Sequence, residues 1–487
     1  MTTPQNDAGH AGPVGLFPPT FSQDYVEGAV RPFLLSGRYV GERPTLPMID
    51  LELSKDNATG AHLFGMFYDG WVPNPEEDGL TVFIRGYEKR GPDNQRKKIY
   101  MSATSPDLYA AWFAPKVGRF FDQLLADTNA GKPLMHEFQA HYDDLYWDLH
   151  VGATGDAIPP EVRQLSASFT TVLAYSFPTL EIVRENYMRV RELRDTLKSW
   201  IDGRVQAIID GEIPDPESTW VYYWLKNAGD GENFRRKDIV FECFHNFVAL
   251  GQWGVTIYRV MSLLDADHGD PIVRSWYERT MANNPDQADG GAFTPLDRFV
   301  MELFRTISPN PGSLSRLKTL QELGPGHAIM ITPHPATSRD PRHWSNPDEF
   351  DPDRYLAAPT TVDNGEARCR EVGLARCPFP PAPFAVMDGR RAELTNSVFG
   401  AVYGVVEGTA YPVCDTAGYA PFGFGYRRCA GELFTVAIIK EFLRRAWTGG
   451  FRFVTLDLAN PERLAVGPGT VVDDVIAFTR QDMGATP

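Results

Sequence analysis

From Ile239 to Leu264 the chain carries an apolar run long enough for about seven helical turns. Most faces of such a helix lack charge, so it is stable only if an interior is built around it. It is not a bilayer span, because Glu242, His245, Asn246, Gln252 and Arg259 interrupt it with polar groups that a hydrocarbon core does not tolerate. The reading is therefore a central helix and no transmembrane segment. Apolar positions recur at helical spacing over Asp107–Leu149 and Val183–Ile209. Strand composition is confined to short stretches, between Gly79 and Tyr87 and at Ala328–Thr332. A mainly α fold with small β-sheets is expected.

No internal repeat and no proline- or glycine-rich linker divides the 487 residues. The expectation is a flexible N-terminal arm over residues 1–20 and a single domain over 21–487. Within it Leu356–Ala420, roughly 65 residues rich in Pro, Gly and Arg, exceeds ordinary loop lengths and reads as a long insertion. Its cysteines, Cys369, Cys377 and Cys414, lack the close pairs of a zinc site. With 47 Lys+Arg against 63 Asp+Glu, the net charge of −16 argues against a nucleic-acid or anionic-membrane binder. The residues from Met1 to Gly15 lack the basic start and apolar run of a secretory signal, and five cysteines leave at least one unpaired. A cytoplasmic location is expected.

The stretch with the most chemistry runs from Ala420 to Phe434 and leads into an apolar helix through Ala446. Gly423 and Gly425 let the backbone pass close to a flat group. Cys429 lies just before the helix, where the dipole and free amides favour thiolate over thiol. Arg427 can pair with a carboxylate, and Phe422 can shield the sulfur from water. If Cys429 binds iron, each of these residue types has a use.

Phe422, Gly425, Arg427, Cys429 and Gly431 match the Phe-x-x-Gly-x-Arg-x-Cys-x-Gly heme loop position for position, and the chain is identified by this resemblance as a member of the cytochrome P450 superfamily. Two further blocks follow the same order. Phe299–Arg305 resembles the Glu-x-x-Arg helix, with Glu302 and Arg305 one turn apart. Asp340–Tyr355 is similar to the segment whose last arginine, here Arg354, completes a structural Glu–Arg–Arg triad. The resemblance implies a cytochrome P450-type fold, heme b (iron protoporphyrin IX) as cofactor, Cys429 as the metal ligand, and Arg427 and Arg316 on the propionates. His334 and Arg339 are similar candidates to Arg316 for the propionates. The family's Trp-x-x-x-Arg helix is not found near residue 100, where Arg96, Lys97 and Lys98 stand.

The central helix departs from the family. Typical members carry an acid and a hydroxyl there to deliver protons to bound dioxygen. Within the corresponding stretch, Phe241–Thr256, Thr256 is the only hydroxyl, no carboxylate immediately precedes it, and Glu242 lies about four turns away. Asn246 through Trp253 is instead similar to the Asn-containing helix of prostacyclin synthase and, more distantly, allene oxide synthase, which rearrange a peroxide already present in the substrate. Asn246, Gln252 and Thr256 are the candidate catalytic residues, with His245 as a further pocket or core residue.

Three functions remain open: a heme-thiolate enzyme transforming a small organic molecule through a preformed O–O or N–O bond or peroxide, a conventional monooxygenase with a ferredoxin-type partner, and a non-enzymatic heme sensor or carrier. No nucleic-acid or membrane partner is expected.

Overall fold

The central run forms two helices, α5 (Arg236–Leu250) and α6 (Gln252–Leu264). Gly251 between them lies outside the residues described by this computed structural model. Those are 49–52, 99–100, 102–104, 106–163, 180–229, 234–250, 252–289, 293–307, 312–317, 329–333, 338–339, 341, 344–356, 384–387, 390–393, 403–406, 409–412, 421–422, 429, 431–467 and 470–480. The arm at 1–20, the strand expected between Gly79 and Tyr87, and Arg96 to Lys98 are outside them.

The other helices are α1 (Ala114–Leu124), α2 (Leu134–Val151), α3 (Leu180–Ile209), α4 (Trp220–Asn227), α7 (Pro271–Ala282), α8 (Pro295–Thr306) and α9 (Glu432–Thr448). A π turn, Tyr109–Phe113, leads into α1. Helix α6 packs against α2, α7 and α9, which places the apolar run inside the molecule as its composition requires. Trp253 ties α6 to α9 by donating its indole N–H to Thr435 Oγ1 at 2.9 Å. No helix of the described residues is long and apolar enough to cross a membrane.

Helix ends follow local chemistry. Helix α8 opens with a capping box: Thr294 Oγ1 accepts from the Asp297 amide at 3.1 Å, the Asp297 carboxylate accepts from the Thr294 amide at 3.2 Å, and Pro295 occupies the first turn. Asp270 caps α7 through the amides of Ile272 and Val273. The amides at the start of α2 are capped from far along the chain, by the Asp474 carboxylate on Met135 and His136.

Helix α2 ends at Gly152, which holds φ 63°. A Cβ there would meet Ile213 Cγ2 at 3.0 Å, so left-handed backbone and close packing both select glycine. Gly152→Ala is expected to lower stability by about 1–2 kcal/mol, the cost of forcing an L residue into that region. Chemical denaturation should show the midpoint falling with an unchanged slope.

Among the described residues every sheet is small and antiparallel. One has three strands in the order β1 (Ile49–Glu52), β2 (Gly312–Leu317), β3 (Ile329–Pro333), with Ser315 opposite Met330. The Ala328–Thr332 reading corresponds to β3. Within 356–420 the described residues form two hairpins, β4 (Phe384–Met387) with β5 (Arg390–Glu393) and β6 (Tyr403–Val406) with β7 (Thr409–Pro412). Toward the C-terminus β8 (Phe451–Thr455) pairs with β11 (Ile476–Arg480), and β9 (Arg463–Gly467) with β10 (Thr470–Asp473). The mainly α reading with small sheets holds.

Candidate heme-thiolate site

Cys429 precedes α9, whose N-cap is Gly431. The Gly431 amide points at Cys429 Sγ at 3.3 Å, and the Cys429 amide donates to the Phe422 carbonyl at 2.7 Å. The sulfur is exposed, whereas Cys243, the other described cysteine, is buried. An amide donor and the positive end of a 17-residue helix both stabilise negative charge on sulfur. Phe422 packs on Phe304 of α8, ring centroids 5.0 Å apart, which fastens the cysteine loop to that helix. Gly425 and Arg427 lie outside the described residues. Among those described no cluster of three His, Cys, Asp or Glu side chains could hold a metal ion.

The Glu302–Arg305–Arg354 arrangement is present. Arg305 is bidentate on Glu302, with Nε to Oε2 at 2.8 Å and Nη2 to Oε1 at 2.7 Å, and Arg354 Nε reaches Oε1 at 3.1 Å. Tyr355 Oη and the Asp351 amide also donate to this carboxylate. Trp344 lies under both guanidinium groups, 5.4 Å from that of Arg305 and 5.9 Å from that of Arg354.

Arg316 sits on β2, opposite Leu51 and Ile329. Arg339 donates to the Thr306 carbonyl at 3.3 Å and faces Asp348, so it closes the end of α8. His334 lies outside the described residues. A Trp-x-x-x spacing does occur, at Trp112 and Lys116, with lysine where the family has arginine. Lys116 is held by the Asp148 carboxylate at 2.7 Å.

On the central helix, Asn246 is buried and takes part in a chain of side chains. Tyr100 Oη donates to Asn246 Oδ1 at 2.9 Å, Asn246 Nδ2 meets His150 Nε2 at 3.3 Å, and His150 Nδ1 meets the Tyr146 carbonyl at 2.9 Å. Burial raises the Tyr100 phenol well above its ordinary range, and the charges of Glu242 and Cys429 push it further. Glu242 is fully buried one helical turn before Asn246, so the acid far from Thr256 in sequence lies near the amide. Thr256 is buried in α6, and Gln252 begins that helix.

Tyr100, His150 and Trp220 were not legible as site residues in the sequence. The signal available was Tyr142, Tyr146 and His150 at intervals of four, which is one helical face. Trp220 stacks edge-on to Phe434 at 4.7 Å and lies 4.5 Å from His150. Its indole nitrogen is buried with no hydrogen-bond partner. A buried orphan donor is costly unless a bound molecule supplies an acceptor. A sulfur set up as an anion with an unmet donor close to the helix that follows it suits an iron-bearing group with peripheral or bound oxygens.

The sequence matches no protein-family model and no curated protein. Solved structures do match. Cyanobacterial CYP120A1 with retinoic acid bound aligns at TM-score 0.51 and 15% identity, over 80% of this chain and 81% of its own. A zebra fish cytochrome P450 with abiraterone aligns at TM-score 0.52 and 15% identity, over 93% and 92%. A second zebra fish structure, with progesterone, aligns at 0.52 and 14%, over 95% and 92%. The chain has the cytochrome P450 fold.

Proposed function

We propose that this chain is a heme-thiolate enzyme that carries out an oxidative or rearranging transformation of a small organic molecule, using a preformed O–O or N–O bond or peroxide. The observation that carries it is the Cys429 loop: an exposed sulfur with an amide donor aimed at it, ahead of a helix, in the cytochrome P450 fold. Heme b, when bound, would supply an iron centre able to cleave a weak bond to oxygen. Cys429 Sγ would hold its iron, Arg427 and Arg316 would hold the propionates, Gly425 and Gly431 would admit the macrocycle, and Phe422 would keep water from the sulfur. The small molecules in the neighbouring structures, retinoic acid, abiraterone and progesterone, fit the expectation of a small organic substrate.

The distal side supports the non-standard chemistry. Thr256 has no carboxylate beside it in sequence, whereas Asn246 can donate to a substrate oxygen without giving up a proton. Candidate substrates should be run side by side with a ferredoxin system and with peroxide or an activated O–O or N–O compound alone. Turnover without an electron donor is expected. Asn246→Leu should lower kcat by about 10²-fold, the scale of losing one aimed donor, with the heme spectrum intact.

A second reading, a conventional monooxygenase with a ferredoxin-type partner, is favoured by Glu242, a buried acid one turn from Asn246. Well-coupled hydroxylation that requires the ferredoxin system, together with a neutral Asn246→Leu, would select it. Absence of turnover across substrate classes would favour a heme sensor or carrier.

A further inference from the structure

The polarity of the Asn246 amide is set from outside its own helix. His150 Nδ1 faces a backbone carbonyl, that of Tyr146, which can only accept. Nδ1 must therefore carry the hydrogen. Burial keeps the ring neutral, lowering its pKa to about 3, so Nε2 is a bare acceptor. Asn246 must then offer its NH2 to Nε2, and its carbonyl oxygen must face the Tyr100 hydroxyl. Each step follows from the one before, starting at a group that cannot reverse its role.

Three helical segments and a buried tyrosine hold this chain. Tyr146 Oη donates to the Cys243 carbonyl on α5, which fixes α2 against the helix bearing Asn246. His150 stacks on Tyr146 with centroids 4.0 Å apart and lies against Trp220, so the ring cannot swing away. Tyr100 stacks on Trp224 at 5.2 Å, and its backbone carbonyl accepts from the Trp224 indole. Among the described residues these bonds leave Asn246 one N–H and one oxygen lone pair.

We propose that His150 is a positioning residue that locks the Asn246 amide with its nitrogen toward α2, so that the remaining amide N–H is the group offered to the ligand. This rests on the reading of Asn246 as the distal partner. The substrate class it selects is one with an acceptor oxygen at the reacting end, such as a peroxide or N-oxide oxygen, rather than a bare C–H. A flipped amide would offer its oxygen and repel such a group.

The test uses the heme-loaded, reduced protein with carbon monoxide as probe, because the C–O stretch falls when a distal donor points at the bound oxygen. Asn246→Leu is expected to move the band upward. His150→Leu should move it the same way, His150→Gln, which restores an acceptor, should return it toward wild type, and the double Leu variant should add nothing to Asn246→Leu. If Asn246→Leu shifts the band and His150→Leu does not, the inference about His150 fails while the role of Asn246 stands. If Asn246→Leu is silent, the role of Asn246 itself fails. Should His150→Leu not fold, nitrogen-15 shifts of the wild-type imidazole decide: a protonated Nδ1 and bare Nε2 are expected, and the opposite tautomer overturns the proposal.

Discussion

Cys429→Ala is expected to abolish the red-shifted Soret band that thiolate-ligated heme gives when reduced under carbon monoxide. The wild-type protein should carry one heme b per chain and show that band. Cys243 cannot take over the role. It is buried on α5, and burial, reinforced by the charge of Glu242, raises its thiol well above the usual range, so it stays protonated and unable to bind iron as thiolate. Cys429 has the opposite surroundings, with an amide 3.3 Å from its sulfur and a helix start behind it. Turnover with peroxide and with a ferredoxin system should both be lost in the variant. If the thiolate–carbonyl band survives, the ligand is another residue, and the assignment of the loop is wrong.

The features that could be read from sequence are local ones. Glu302 and Arg305 are one turn apart, and Phe422 to Gly431 lie within ten residues of sequence, so short patterns carried them. Helix α3, Leu180–Ile209, extends the expected Val183–Ile209 by less than one turn because its apolar spacing is continuous. The distal chain was closed to such reading. Tyr100 and Asn246 are 146 residues apart, and Asn246 and His150 are 96 apart, so only tertiary packing reveals that they meet. The hairpins inside 356–420 escaped for another reason: strands of four residues are too short for a period of two to stand out.

Glu302→Ala and Arg305→Ala are each expected to cost about 3–5 kcal/mol, the scale of leaving a buried charge without its partner. That is a large share of the roughly 5–15 kcal/mol that holds a domain folded. Both side chains are completely buried. Glu302 Oε1 accepts from Arg305, Arg354 and the Asp351 amide, and Oε2 accepts from Arg305 and Tyr355. Removing the carboxylate strands two guanidinium groups. Removing Arg305 strands the carboxylate in part and also leaves the carbonyls of Ser338, Pro347 and Glu349 without this donor. The damage reaches the site through α8, because Phe304 supports Phe422, whose carbonyl receives the Cys429 amide. Fold and heme should therefore fail together. Tyr355→Phe removes one hydrogen bond from an uncharged donor to the same carboxylate and should cost less, about 1–3 kcal/mol, with heme retained. Thermal melting and heme content measured on all three variants separate the cases. Full heme and native stability in Glu302→Ala or Arg305→Ala would show that the network does not brace the cysteine loop.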